Sequence, residues 1–142
     1  MASSSSQHVH VSWADVLLWV GAVVSGGLTL WFSLWAVPAG TGSFPGADKV
    51  EHAIAFFTTT LLFLLAAVWR PGRGPGPFYR WRRWLAAAVI LLGGMVEIAQ
   101  SALTASRKAE WLDWFSEMAA VLAAAGIVRA LERRASAARA RC

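Results

Sequence analysis

Four apolar stretches, each close to twenty residues, divide the chain, with short polar or glycine- and proline-rich connections between them. The first runs over about 11–37 and stops at Pro38. The second covers 50–69, the third 84–104 and the fourth 111–131. Each has the length an α-helix needs to cross the hydrocarbon of a bilayer, at a rise of about 1.5 Å per residue. The pattern predicts an all-α integral membrane bundle of four transmembrane helices. Residues 1–10 (four serines, Gln7, His8 and His10 among them) read as a disordered polar tail, and 132–142 as a basic tail after the four-helix domain of 11–131. The first stretch is too long for a signal-peptide core and is read as a retained span.

Composition agrees. Of 142 residues, 57% are hydrophobic and only 15% charged, with nine tryptophans, and the mean hydropathy is +0.51. A soluble domain of this size has too little interior for so much apolar side chain. Trp13 and Trp19 sit toward one end of the first span and Trp31 and Trp35 toward the other, as an aromatic belt requires. The net charge of +5 invites a nucleic-acid reading, but the arginines flank apolar spans, where topology accounts for them and no nucleic acid is needed. Five arginines lie in 70–83, and Arg133, Arg134, Arg139 and Arg141 follow the fourth span. Those segments are expected on the cytoplasmic side, which puts both termini inside and turns 38–49 and 105–110 outward. The one cysteine, Cys142, forms no intrachain disulfide.

Charges inside or beside the spans change the picture more. Asp48-Lys49-Val50-Glu51-His52 opens the second span, and Asp48 and His52, four apart, share a helix face. Late in the third span Glu97, Gln100, Ser101 and Thr104 follow i, i+3, i+4, i+7, with Glu97 roughly 10 Å below the surface. Asp113 and, one turn deeper, Glu117 start the fourth span, preceded by Arg107 and Lys108. The topology brings these groups to a similar outer depth. Residues near the ends, such as Asp48, Lys49, Asp113 and Asp15, can reach headgroups or solvent at little cost. His52, Glu97 and Glu117 are deeper or shorter, and a carboxylate there costs about 2.5–3.5 kcal/mol unless paired or hydrated.

Two structures meet that requirement: a clamp of ion pairs, His52 or Arg107 with Glu97, or a polar outward-facing pocket. In the pocket Lys49, Arg107 and Lys108 hold an anionic headgroup beside Glu117, and the flanks of spans two to four take the apolar portion. If a reaction occurs, His52 is the natural proton carrier, with Asp48 or Glu97 orienting it and Gln100 and Asp113 beside it. No nucleophile elbow, phosphate loop or HExxH motif is present, so whether the chain is an enzyme is left open. A divalent cation on Asp48, His52, Glu97, Asp113 and Glu117 ranks below the pocket because Lys49 and Arg107 are close by, and no cofactor is assigned. Proton-coupled transport through His52 and Glu97 ranks below it too, since residues 85–92 offer no polar lining. A non-enzymatic partner protein is the third reading. Small residues at Gly21/Ser25, Ala22/Gly26 and Ala119, Ala123 and Ala124 suit internal packing or a homo-oligomer.

The ordered set Asp48-Lys49-x-x-His52, Glu97-x-x-Gln100, Arg107 and Asp113 resembles the VanZ-like family over about residues 33–129. The resemblance implies a small multi-pass protein of the bacterial cytoplasmic membrane. The family is named for a member linked to teicoplanin resistance, so a cell-envelope lipid intermediate or a lipoglycopeptide becomes the expected ligand. Family members usually carry asparagine four residues after the last aspartate and glycine one turn further; here Glu117 and Ala120 stand there, adding a carboxylate.

Overall fold

The computed structural model describes residues 12–34, 46–70, 74–75, 78–103 and 111–141. The N-terminal tail, Thr104, Arg107 and Lys108 lie outside the described residues, as does the side chain of Asp48. Four helices carry the chain: α1 (Trp13–Leu34), α2 (Ala47–Ala67), α3 (Arg82–Leu103) and α4 (Trp111–Arg139). All four are long and apolar enough to cross a membrane. The only β pairing among the described residues is a two-residue antiparallel ladder, β1 (Trp69–Arg70) against β2 (Gly74–Pro75), in the arginine-rich connection.

The termini of the helices follow from local chemistry. At the head of α1 the Ser12 amide lies 3.4 Å from Asp15 Oδ2 and the Asp15 amide donates to the Ser12 carbonyl, half of a capping box. Asp15 is buried, not open to solvent as its position in the sequence suggests. Gly46 precedes α2 with φ of +84°, a conformation that costs glycine nothing, and its carbonyl accepts from the Val50 amide. α2 thus starts three residues before the apolar stretch and takes Lys49 into the helix. Its last turn is closed by the Val68 amide on Leu64 and by the Phe78 amide on the Ala67 carbonyl. α4 runs through the expected basic tail as far as Arg139, because that segment is rich in alanine, arginine and glutamate, all strong helix formers. Its 29 residues span about 43 Å.

α2 and α4 are parallel and in register: Lys49 meets Asp113, His52 meets Glu117, and Leu64 packs with Val128. The seam is apolar between its charged end and its far end, with Phe56, Ala120 and Val121 in one cluster and Leu64, Ala67, Val68 and Val128 in the next. Ala120 and Ala124 are buried there and let the helices close up, whereas Ala119 and Ala123 face outward. α1 lies antiparallel on α2. A Cβ at Gly21 would stand 3.7 Å from Leu62, one at Gly26 would stand 3.5 Å from Thr59, and Trp19 meets Phe63 edge-on, so the small stripe packs as expected. The Thr59 hydroxyl bonds Ser25 at 2.8 Å and Thr29 at 3.0 Å across that interface. α3 runs antiparallel to α4, and its Gly93-Gly94 pair marks the close approach. Trp114 leans over Gly94 and donates from Nε1 to the Ile90 carbonyl at 3.0 Å. The outward surfaces of the helices are largely apolar, with Trp13, Trp81, Trp84, Trp31 and Trp111 exposed near their ends.

Candidate functional site

The helix directions gather the ionisable residues in two layers at the end where α2 and α4 begin. In the outer layer Lys49 Nζ donates to Asp113 Oδ1 at 2.7 Å, both side chains being partly exposed. One turn deeper, His52 Nδ1 stands 3.0 Å from Glu117 Oε1. The i, i+3/i+4 spacing on two parallel helices makes both pairs at once: Lys49 and His52 sit on one stripe of α2, Asp113 and Glu117 on one stripe of α4.

Glu117 is 1% exposed and is the largest fully buried side chain among the described residues. It fits because Gly93 faces it. A Cβ at that position would overlap Glu117 Oε2 and come within 3.3 Å of the Phe56 ring. Glu117 Oε2 itself has no hydrogen-bond partner among the described residues. From α3, Glu97 is 5% exposed and joins the same layer, so that one ligand atom each from His52, Glu97 and Glu117 lie within 4.8 Å of one another. The three sequence residues judged deepest are thus brought together.

Partners differ from expectation in detail. The imidazole holds Glu117, where the clamp reading paired His52 or Arg107 with Glu97; Arg107 lies outside the described residues. A carboxylate at 117 accepts from the Nδ1 hydrogen, which leaves Nε2 as the second ring nitrogen for exchange or ligation. Gln100 is buried and donates from Nε2 to the Ser33 carbonyl at 2.6 Å, tying α3 to the end of α1. Ser101, expected on the face of Glu97 and Gln100, is exposed and turns its hydroxyl back to the Ile98 carbonyl at 2.8 Å. Serine commonly satisfies itself this way on a helix.

A cavity beside these residues lies between α1 and α2, so that α1, which the pocket reading did not include, supplies one wall. It is a half-open groove of about 560 Å³. Glu51, His52 and Ser33 line one end, Thr29 and Ser25 the middle, and Gly21, Val24, Leu28 and Phe32 supply apolar wall. Glu51, an interfacial charge by its place in the sequence, and the hydroxyls line this groove although the sequence assigned them to no site. Ser25, Thr29 and Ser33 recur every four residues in an otherwise apolar helix, which is a legible signal of a polar stripe. Gly21 and Ser25, read as packing positions, also border the groove.

Donor chemistry allows a metal at the buried layer. One imidazole and two carboxylates suit zinc or another divalent first-row ion. Neighbouring ligands around zinc sit about 3.3 Å apart for bonds near 2.0–2.1 Å, so the trio would have to draw together to hold one. Comparison with protein-family models, curated proteins and solved structures yields no match. The likeness to the VanZ-like family rests on the residue pattern.

Proposed function

We propose that the chain is a VanZ-like multi-pass protein of the bacterial cytoplasmic membrane, with both termini inside and the His52 end facing outward. There it binds or processes a cell-envelope amphiphile, a lipid intermediate or a lipoglycopeptide. The observation that carries this reading is the double position of His52. It hydrogen-bonds the buried Glu117 on one side and lines the α1–α2 groove on the other. A headgroup at Glu51, Ser33 and His52 meets hydrogen-bonding groups suited to amines and sugar hydroxyls, while Val24, Leu28 and Phe32 offer wall for an acyl or prenyl chain. Lys49 is engaged by Asp113, so it serves the pocket by holding α2 on α4.

Proton-coupled transport is disfavoured by what lies below the buried layer. Phe56, Ala120 and Val121, then Leu64 and Val128, fill the α2–α4 seam. Binding of teicoplanin and of a polyprenyl phosphate to the purified protein tests the pocket. Leu28→Trp blocks the apolar wall from an exposed position and is expected to lower affinity at least tenfold with helicity unchanged. Equal binding by wild type and Leu28→Trp sinks the groove as the site. Labelling of a cysteine at position 75 from outside the cell, on a background without Cys142, overturns the topology.

A second reading is favoured by Glu117 Oε2: a divalent cation held by His52, Glu97 and Glu117. Of the two cations that argued against a metal, Lys49 is drawn to Asp113, and Arg107 lies outside the described residues. Metal analysis after equilibrium dialysis against zinc decides it. Near-stoichiometric zinc that falls at least tenfold in Glu117→Gln supports the site. A zinc-free protein, its carboxylates neutralised instead from Arg107, removes it.

A further inference from the structure

The opposite end of the bundle holds a second groove, of about 490 Å³, between α3 and α4. Arg82, Arg83, Arg129 and Glu132 line one end of it, and Ala86, Ile90, Leu122 and Leu64 continue it toward the middle of the bundle. From Arg82 to Ile90 the helix rises roughly 12 Å, enough for a substantial length of lipid chain. None of these residues belongs to the His52 site.

Glu132 is the informative member. It is 9% exposed, yet Oε1 has no hydrogen-bond partner among the described residues. Its other oxygen stands 3.5 Å from Arg82 Nη1, well beyond the 2.7–2.9 Å of a tight charge-assisted bond. The Arg82 guanidinium also lies over the Tyr79 ring, at 4.7 Å from the centroid. A buried carboxylate oxygen facing no donor is costly, and the three arginines around it have no other acid among the lining residues. The groove thus offers three guanidinium groups, one acceptor in want of a donor, and an apolar channel.

We infer that this groove binds a phospholipid with a primary ammonium headgroup, the phosphodiester resting among Arg82, Arg83 and Arg129 and the ammonium donating to Glu132 Oε1. A purely anionic headgroup answers the arginines but places a second negative group beside Glu132. A trimethylammonium headgroup answers the charges but has no hydrogen to donate. Phosphatidylglycerol has hydroxyls to donate but no positive charge to set against the carboxylate; the primary ammonium supplies donor and charge together.

The test is native mass spectrometry of the full chain released from nanodiscs containing equal parts phosphatidylethanolamine, phosphatidylglycerol and phosphatidylcholine. Wild type is expected to retain one phosphatidylethanolamine about tenfold over either of the others. Glu132→Gln is expected to bring phosphatidylethanolamine within about twofold of phosphatidylcholine. Arg83→Gln/Arg129→Gln is expected to lose the retained lipid; should that variant fail to insert, Glu132→Gln decides alone. Equal retention of the three lipids by wild type, preference for phosphatidylglycerol, or an unchanged preference in Glu132→Gln each overturns the inference.

Discussion

Helix α4 carries two buried glutamates, Glu117 near one end and Glu132 fifteen residues later, roughly 22 Å apart along the helix axis. Both face α3, and both have one oxygen near a basic partner and one with no hydrogen-bond partner among the described residues. The resemblance ends with the partners. Glu117 is met at 3.0 Å by a short imidazole fixed on a neighbouring helix, with a second carboxylate in the same layer and Gly93 pressed against it. Glu132 is met at 3.5 Å by a long guanidinium that also lies over a tyrosine ring. A short side chain on a packed helix holds its partner in one place. A long one at a helix end can be shared with a ligand. The same residue type on the same helix therefore builds a tight polar layer at one end and an open cradle at the other.

Four substitutions and one control probe that contrast, and stability in a detergent unfolding titration is the common measurement. His52→Ala leaves Glu117 buried without its basic partner and is expected to cost about 3–5 kcal/mol. Should it cost less than about 1 kcal/mol, the layer is hydrated and the tight end resembles the open one. Gly93→Ala drives a methyl into Glu117 Oε2; its expected cost of about 1–3 kcal/mol reverses the gain of up to about 1 kcal/mol that alanine brings to an open helix position. Gly27→Ala, with nothing within 4 Å of the added carbon, supplies that gain and serves as the control. Lys49→Met removes the partly exposed outer pair and is expected to cost about 1 kcal/mol or less, with the difference shrinking at high salt. Glu132→Gln is expected to change stability least, by under about 1 kcal/mol, because its ion pair is already long. A larger loss there than in His52→Ala inverts the comparison.

How much of this was written in the sequence differs from residue to residue. The four helices, the parallel sense of α2 and α4, and the shared depth of His52, Glu97 and Glu117 follow from apolar length and helical rise, which need no knowledge of neighbours. Small residues at 21, 22, 25 and 26 announced a close contact, and one is present. Asp15 and Glu132 were not legible as buried residues. Near the end of an apolar stretch a charge reads as solvated, yet Asp15 and Glu132 are both buried in the fold. Ser101 illustrates the opposite error, since sharing a stripe with Glu97 and Gln100 did not bring it indoors.

What the chain by itself determined is the set of helices, their directions and the level at which each polar group lies, because rise per residue and hydrophobic length are local properties. What only the tertiary structure decided is which groups at a given level touch. That depends on how far each helix is rotated about its own axis and how near its neighbour stands. The missing side chain of Gly93 lets Glu117 lie against α3, so His52 takes Glu117 as its partner. The groove that His52 lines is likewise a product of how α1 rests on α2, which no single helix specifies.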